Sequence, residues 1–357
     1  MKNKIGLITI HDTLNYGSLV QAFSLYKAIE TLGMSVELID YKCEAIANRE
    51  KTYPLKECLS IKGIYNYLTK HKSFSKRYDN MWDFMKKNML ISRAYDKSTI
   101  SQSNKDYDTF VVGSDIVWGM PVTGHDFTYM LDFVEDAKKK VAFSPSIGTP
   151  WNEDEKEHIK KLLNRFDFIS TREELGAEWV EELTHKPVEV SCDPTMLWDR
   201  NFWGELADDK IVPERPYVLV YMTTTDKKNI KDAISYGKEH NMPVYYLNFN
   251  RPVKGLHNIS PMTVGEWIAL FKNANTVFSA SYHGLVFSLY FQKKLFYYNR
   301  GNKARMKSFG EELRIQHREG TDENLKNDLP IDYEGWVNKK LEEKRNYSWN
   351  LLKERLL

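Results

Sequence analysis

The chain alternates short apolar runs with polar or glycine-bearing turns and helix-spaced segments, and this alternation limits its fold more than any other feature. Ile5 to Ile10 predicts a buried strand, and the segment after it predicts a helix with one apolar face that ends at Gly33. Val36 to Tyr41 predicts a second strand, which completes a β-α-β unit of the length that a parallel crossover needs. The chain should therefore fold into an α/β protein with a parallel sheet.

The alternation occurs in two stretches. In the first, further strands are predicted to begin near residues 109, 140, 168 and 188. Two prolines and clustered charge between residues 208 and 216 predict a linker, and new strands and helices follow from residue 217. Thr263 and Glu266 have the spacing of a capping box at the start of one of these helices.

Three segments follow from this organisation. We expect a first domain over residues 1–205, a second domain over residues 206–330, and a terminal helix over residues 331–357. Residues 44–100 are charged, rich in Lys and Tyr, and predict a helical insertion in the first domain.

Charge and cysteine content exclude several classes of function. Because 51 Lys and Arg residues balance 49 Asp and Glu residues, no global field favours nucleic acid. The cysteines at positions 43, 58 and 192 lack disulfide and metal-site spacing, which indicates a reducing cytoplasm and no metal site. No apolar run approaches the ~20 residues of a membrane helix, so we expect a soluble protein. Peripheral contact with a membrane and the oligomeric state stay open.

His283 is the first candidate functional residue. It lies where the apolar run that begins at Val277 reaches a small-residue turn, after which a second apolar run has helical spacing. In open α/β folds ligands bind beyond the carboxyl ends of the strands, and an imidazole there can gain or lose a proton near neutral pH. The alternative is a partly buried ring that only caps the turn.

Two further turns carry polar residues. The segment Asn15-Tyr16-Gly17-Ser18 precedes the first helix and fits either an anion site or an N-cap turn in which Gly17 supplies a positive φ. After a short apolar strand, Ser114 and Asp115 should project into the same crevice. Asp115 fits a base or a hydroxyl-orienting group, although capping of the next helix is the favoured interpretation.

Basic residues suggest anion recognition at two places. Arg172 is predicted in the first turn of a helix, where a guanidinium can hold a carboxylate or phosphate by two hydrogen bonds. Taken alone, a surface ion pair with Glu173 or Glu174 is the simpler interpretation. The segment that contains Arg300, Lys303, Arg305 and Lys307 fits an anion site at the mouth of the second domain or a solvated helix start.

Six motifs occur in an order that resembles the polysaccharide pyruvyl transferase family. They are Ile-Thr-Ile-His-Asp-Thr-Leu-Asn-Tyr-Gly-Ser-Leu-Val-Gln-Ala from Ile8, Gly-Ser-Asp-x-x-Trp from Gly113, Ser-Pro-Ser-Ile-Gly from Ser144, Ser-x-Arg-Glu-x-x-Gly from Ser170, Asp-Pro-Thr from Asp193, and Ser-Tyr-His-Gly from Ser281. The resemblance extends from about residue 5 to about residue 310. Each motif is short, so the ordered combination carries the assignment.

The resemblance implies a GT-B-like fold, with two Rossmann-like domains facing across a cleft and a C-terminal crossover helix that packs on the first domain. It also implies transfer of a pyruvyl group from phosphoenolpyruvate, as co-substrate and without any other cofactor, to two hydroxyls of a sugar. The acceptor would be a polysaccharide or its lipid-linked or nucleotide-linked precursor, at the inner face of the membrane or in the cytoplasm. Exopolysaccharide or capsule synthesis is the expected context.

The resemblance assigns roles to residues in both domains. His283 would be the catalytic acid, and Arg172 would clamp the donor's carboxylate or phosphate. The donor-binding residues on the second domain would be Ser281, Tyr282, Gly284, Arg300, Asn302, Lys303 and Arg305. The acceptor-binding residues on the first domain would be Asn15, Tyr16, Gly17, Ser114 and Asp115.

This chain departs from the family's pattern at two places. Characterised relatives carry an arginine where this chain has Ser281, and Arg300, Lys303 or Arg305 are candidates to replace its charge. Ile116 and Gly119 stand where glutamine and asparagine are expected. Two other interpretations therefore stay open: a GT-B glycosyltransferase that uses a nucleotide-sugar, and a non-catalytic carbohydrate-binding relative.

Overall fold

The computed structural model describes residues 3–50, 61–222, 226–249, 253–299 and 304–357. The chain divides into two compact units: Met1–Leu197 with Lys344–Leu357, and Trp198–Glu343. The sequence-based boundary after residue 205 thus lies a few residues beyond the observed division. The carboxyl-terminal segment is shared between the units.

The first unit is built on one parallel sheet. Its strands are β1 (Lys4–Ile8), β2 (Ser35–Tyr41), β3 (Ile91–Tyr95), β4 (Thr109–Val112), β5 (Lys139–Ala142), β6 (Phe168–Thr171) and β7 (Glu189–Val190). Its helices are α1 (Tyr16–Thr31), α2 (Glu44–Glu50), α3 (Ile61–Asn88), α4 (Met120–Thr123), α5 (Glu153–Leu163) and α6 (Glu174–Thr184). The strand order is β3-β2-β1-β4-β5-β6-β7, so the direction of winding reverses between β1 and β4. Ligands of doubly wound folds bind at such a switch point.

The predicted helical insertion at residues 44–100 also contributes to this sheet. Helices α2 and α3 lie within it, but β3 follows α3 and pairs in parallel with β2, where Leu38 is opposite Ile91. The prediction missed β3 because the strand lies at the edge and four of its five residues are partly or fully exposed. It therefore lacks the apolar run that marks the central strands.

Helix α1 is buried on nearly every side, whereas the sequence predicts one apolar face. Every residue from Tyr16 to Tyr26 is buried. β2, α3 and the Pro194–Leu197 turn all pack against the helix. The predicted end at Gly33 is confirmed, since Gly33 follows the helix with a φ of 78°.

The second unit repeats the doubly wound plan. Its strands are β8 (Val218–Tyr221), β9 (Val244–Leu247), β10 (His257–Ile259), β11 (Thr276–Ser279) and β12 (Lys294–Tyr297). Its helices are α7 (Arg200–Glu205), α8 (Lys227–Glu239), α9 (Val264–Asn273), α10 (Tyr282–Tyr290), α11 (Ala304–Glu312), α12 (Asp322–Asn327) and the first part of α13 (Asn338–Leu356). The parallel order β10-β9-β8-β11-β12 places a switch point between β8 and β11.

Two local sequence patterns of this unit predict its helices correctly. The capping box of Thr263 and Glu266 opens α9 as predicted. The predicted terminal helix begins with a π-helical turn, Tyr333–Val337, and continues as α13. Strand β10 was not predicted, because it has only three residues and none of them is fully buried. No helix in the described ranges is both long enough and apolar enough to span a bilayer.

Candidate functional site

His283 lies at the switch point of the second sheet. Strand β11 ends at Ser279, Ser281 is the N-cap of α10, and His283 is the second residue of that helix. Ser279 pairs with Tyr221, the last residue of β8. His283 as a whole residue is 7% exposed. The sequence-based placement of His283 at a strand-to-helix turn is therefore observed.

Two small residues close this turn. The Ser281 backbone N–H donates to Ser279 Oγ at 3.1 Å, and the Ser279 hydroxyl donates to the Ser281 carbonyl at 3.1 Å. A Cβ on Gly284 would lie 2.2 Å from Ser279 Oγ and 2.7 Å from the Tyr221 ring. Glycine at this position therefore lets the first turn of α10 approach the strand ends, which fixes where His283 lies.

The start of α10 suits an anion. The Ser281 side chain makes no capping hydrogen bond, and the first turn of α10 contains no acidic residue. The backbone N–H groups of that turn and the positive end of the helix dipole favour a negatively charged ligand. Tyr282 packs against Phe309, with 5.6 Å between ring centroids, and lies edge-on to His283.

The predicted basic cluster is only partly described. Arg300, Asn302 and Lys303 lie outside the described residues. Arg305 lies in α11, but its side chain is not described. Their predicted roles in donor binding stay predictions.

The switch point of the first sheet has the opposite electrostatic character. Asn15 caps α1, because its Oδ1 accepts a hydrogen bond from the Gly17 N–H at 3.0 Å. Asp115 accepts the Ile116 N–H at 2.9 Å through Oδ1 and the Ser18 hydroxyl through Oδ2. A carboxylate thus already lies at the amino end of α1, which disfavours the predicted anion site there.

Two details of the sequence interpretation are wrong at this end of α1. Gly17 is helical and does not supply a positive φ; Asp115 does, with a φ of 62°. The Asp115 carboxylate accepts the N–H of the next residue, Ile116, and the hydroxyl of Ser18 in α1. No helix begins until Met120, so Asp115 does not cap the next helix. Tyr16, the remaining aromatic candidate, is 2% exposed.

Ser114 is held entirely by protein contacts. Its backbone N–H donates to Gln21 Oε1 at 3.0 Å, and its hydroxyl donates to the Ser144 carbonyl at 2.7 Å. Its carbonyl accepts the Thr9 hydroxyl at 3.2 Å. Ser114 is fully buried and joins the segment after β1, helix α1 and the turn after β4, whereas the neighbouring Asp115 is partly exposed.

Arg172 forms a buried ion pair with two carboxylates. Its Nε donates to Glu173 Oε1 and its Nη1 to Asp193 Oδ2, both at 2.9 Å. The expected pairing with Glu173 is therefore observed, but the side chains of Arg172 and Asp193 are 1% and 0% exposed, so the group is buried and not on the surface. Arg172 also precedes α6, whose N-cap is Glu173, and does not lie in its first turn.

A polar cluster missed by sequence analysis lies beyond β1 and β2. His11 Nε2 lies 3.1 Å from Asp40 Oδ1, and Lys42 Nζ lies 2.9 Å from both Asp12 and Asp40. From α3, the Tyr78 hydroxyl and the Trp82 indole N–H donate to Asp12 Oδ1 at 2.5 and 3.2 Å. The signal was the polar residues at or near the carboxyl ends of two neighbouring strands, but the two donors from α3 come from a distant part of the chain.

Hydrogen bonds set the charge state of this cluster. Burial alone would raise the pKa of Asp12, but hydrogen bonds from Tyr78 and Lys42 outweigh it and the pKa is lowered. At Asp40, burial would again raise the pKa, but hydrogen bonds from His11 and Lys42 outweigh it and the pKa is lowered. The pKa of Lys42 is raised, since its pairing with the two aspartates exceeds the effect of burial. Both carboxylates are therefore ionised near neutral pH.

Metal-binding groups and reactive thiols among the described residues are other possible centres. Within the described ranges, no group of three or more His, Cys, Asp or Glu side chains could hold a metal ion. Cys43 and Cys192 are buried free thiols, and burial raises the pKa of Cys192 to about 12. A thiol with so high a pKa is a poor nucleophile at neutral pH.

Structural comparison supports the predicted fold class. The UDP-GlcNAc 2-epimerase from Neisseria meningitidis, solved with UDP-GlcNAc bound, aligns over 99% of this chain and 99% of its own, with a TM-score of 0.56 and 10% identity. The MnaA structure from S. aureus, solved with UDP, covers 99% of this chain and 91% of its own, with a TM-score of 0.51 and 12% identity. At such identities the likeness concerns the fold alone, and it confirms the GT-B-like class.

Sequence comparison assigns the family. No curated protein sequence matches the chain significantly. The profile of the family described as polysaccharide pyruvyl transferase matches residues 15–302. That match covers most of the chain, including α1, the turn after β4, Arg172 and the His283 turn. The chain therefore belongs to the polysaccharide pyruvyl transferase family.

Proposed function

We propose that this protein transfers the pyruvyl group of phosphoenolpyruvate to a sugar and forms a pyruvate ketal. The observation that carries the proposal is His283, held in the first turn of α10 at a switch point where the helix start favours an anion. Membership of a polysaccharide transferase family supports the same conclusion.

The proposed reaction requires one acid and two sugar hydroxyls. The methylene carbon of phosphoenolpyruvate gains a proton and becomes a methyl group, while the neighbouring carbon develops oxocarbenium character. That carbon then bonds to two sugar oxygens, and its bond to the phosphate oxygen breaks. The two hydroxyls lose two protons. One restores the acid that protonated the methyl group, and the other leaves with the phosphate. His283 is the proposed donor of the methyl proton.

The donor would lie at the amino end of α10. Backbone N–H groups beyond Ser281, in the turn of Tyr282 and Gly284, are the described groups that can hold its phosphate or carboxylate. Arg300, Asn302, Lys303 and Arg305 are proposed to add charge there, in place of the arginine that relatives carry at the position of Ser281. No cofactor beyond the co-substrate is proposed.

The acceptor would bind the first unit. Asn15, Tyr16, Gly17, Ser114 and Asp115 are proposed to form one side of its site, with Asp115 as the hydroxyl-binding group and Ser114 in support. Arg172 is the second proposed catalytic residue, and Glu173 and Asp193 fix its guanidinium group. We propose a sugar of a polysaccharide, or of its lipid-linked or nucleotide-linked precursor, on the cytoplasmic side of the membrane.

Calorimetric titration separates this proposal from its alternatives. We expect the protein to bind phosphoenolpyruvate and to bind UDP-GlcNAc at least tenfold more weakly. The reverse order would favour a glycosyltransferase on the same scaffold. Binding of neither compound would favour a non-catalytic carbohydrate-binding protein, and either result would contradict the proposal.

Replacement of His283 tests the chemistry. In phosphate-release assays with phosphoenolpyruvate and a panel of 4-nitrophenyl glycosides, His283→Gln should lower kcat by roughly 10²- to 10⁴-fold, the usual contribution of a general acid. His257→Gln is the matched control, because His257 is an exposed histidine on the edge strand β10 of the same unit. A His283→Gln variant that folds normally and keeps the wild-type kcat would exclude His283 as the acid.

A further inference from the structure

Helix α11 packs directly against the turn that holds His283. Its buried residues Met306, Phe309 and Gly310 recur at helical spacing and form one face of the helix. Phe309 contacts Tyr282, the first residue of α10, with 5.6 Å between the ring centroids. Because His283 follows Tyr282 directly, this contact joins α11 to the residue that carries the proposed chemistry.

A second contact joins α11 to the same turn through β12. Tyr297, the last residue of β12, is fully buried and pairs with Ser279, whose hydroxyl closes the His283 turn. A Cβ on Gly310 would lie 2.9 Å from Cζ of the Tyr297 ring and closer still to its hydroxyl oxygen. Glycine at position 310 therefore lets α11 lie against the end of β12.

The carboxyl end of α11 is anchored in the core of the second unit. Leu313 and Ile315, which follow the helix, are fully buried, and the Ile315 N–H donates to the Gly310 carbonyl at 2.8 Å. Close-packed interiors do not absorb an added methyl group without movement. A side chain at position 310 that collides with Tyr297 should therefore displace mainly the free amino end of α11.

The amino end of α11 carries a basic residue on the side that faces α10. Arg305 lies in α11 about one helical turn before Phe309, so the two backbone positions share one side of the helix. Lys307 falls between them in sequence and therefore lies on the opposite side. It is exposed, and its Nζ is 4.0 Å from Glu311 Oε1. The two cations of α11 are thus placed differently relative to the start of α10.

We infer that α11 is a positioning element of the anion site, in which Gly310 and Phe309 hold its amino end beside the start of α10. Arg305 then adds its charge to a helix start that has no acidic residue in its first turn. The inference rests on the proposed function only in taking the anion to be phosphoenolpyruvate. Gly310 and Phe309 belong to none of the motifs that carry the family resemblance.

Gly310→Ala tests the close approach of α11 to β12. The methyl group would collide with Tyr297 and move the amino end of α11, so calorimetry on the full chain should show about tenfold weaker binding of phosphoenolpyruvate. Gly204→Ala is the matched control, because Gly204 also lies in a helix of the second unit, α7, but a Cβ there would meet no other heavy atom within 4 Å. Equal affinities of the two variants would overturn the inference.

Tyr297→Phe provides the second background for Gly310→Ala. The Tyr297 hydroxyl has no hydrogen-bond partner among the described residues, so its removal alone should not lower the melting temperature. The added methyl group then meets one oxygen fewer, and the loss of affinity that it causes should shrink by about threefold. A loss of the same size in both backgrounds would mean that contact with Tyr297 does not position α11.

Removal of single charges gives a readout that a general loss of stability would not change. Arg305→Gln should weaken phosphoenolpyruvate binding about fivefold to tenfold, and Lys307→Gln, on the opposite side of α11, less than about twofold. Arg305→Gln should cause little further loss in Gly310→Ala, because Arg305 has already moved away from the anion. Fully additive losses, or equal losses in the two charge variants, would contradict the inference.

Inorganic phosphate as a second anion keeps the inference apart from the proposed function. If phosphate binding depends on Gly310 and Arg305 while phosphoenolpyruvate does not bind, the proposed function is wrong and the positioning role of α11 stands. If phosphoenolpyruvate binds equally well to the wild type, Gly310→Ala and Arg305→Gln, the proposed function stands and the inference is wrong. Wild-type protein that binds neither anion would contradict both.

Discussion

The two units share a doubly wound plan but differ in how charged groups are arranged at the carboxyl ends of their strands. In the first unit, charged groups are paired within the protein: Asp115 with Ser18, Arg172 with Asp193, and Lys42 with two aspartates. In the second unit, α10 begins without a side-chain cap and without an acidic residue in its first turn, and His283 lies there. The same topology therefore presents two different binding environments.

This difference matches the chemistry of the two proposed substrates. A sugar is neutral and needs fixed hydrogen-bond donors and acceptors, which a network of paired charges supplies. Phosphoenolpyruvate is an anion and benefits from the N–H groups of a helix start that has no acidic residue in its first turn. The first unit is therefore consistent with binding of the sugar, and the second with binding of phosphoenolpyruvate.

The largest effect should come from breaking the buried pair of the first unit. Arg172→Met leaves Asp193 charged and fully buried, so the free energy of unfolding should fall by about 3–5 kcal/mol in urea denaturation. Lys27→Met is the control, since Lys27 forms a half-exposed pair with Glu30 and such pairs contribute ~0.2–1 kcal/mol. Equal losses in the two variants would mean that charge pairing does not stabilise the first unit.

A carboxylate placed at the start of α10 should make the second unit resemble the first. Ser281→Asp should weaken phosphoenolpyruvate binding at least tenfold, about 1.4 kcal/mol, because the new charge opposes the anion. Ser281→Asn has nearly the same shape, caps helices equally well, and should keep the affinity within about threefold. If calorimetry finds that both variants lose the same affinity for phosphoenolpyruvate, charge is not the cause. The proposed electrostatic contrast between the two units would then be wrong.

The smallest effect concerns the cap of α1. Asn15→Ala should lower the free energy of unfolding by about 1 kcal/mol, through loss of the bond to the Gly17 N–H, and leave the affinity for phosphoenolpyruvate unchanged. Asn152→Ala is the control, because Asn152 is the N-cap of α5 but makes no capping hydrogen bond. A large change in donor affinity in Asn15→Ala would place the anion in the first unit instead.

Much of the fold could be predicted because its signals are local. Central strands such as β4 and β11 are fully buried, so their sequences are short apolar runs between turns. The capping box at Thr263 is encoded within four residues. Strands β3 and β10 were missed, because edge strands are partly exposed and form only through pairing with β2 and β9.

The candidate site was predictable only in part. The position of His283 follows from the turn between two apolar runs, and the capping role of Asn15 follows from its place before α1. The partners of Arg172 and Asp115 did not follow, because Asp193 and Ser18 are far from them in sequence. The polar cluster at Asp12 depends on Tyr78 and Trp82, which lie more than sixty residues away.

The sequence by itself determined the parallel α/β architecture, the family, and the strand-to-helix turn that holds His283. These depend on the spacing of apolar residues and on short motifs, both of which are local properties of the chain. Only the tertiary structure decided which charges are paired and which helix start has a carboxylate beside it. Pairing and burial bring together residues from distant segments, and no local pattern encodes those distances.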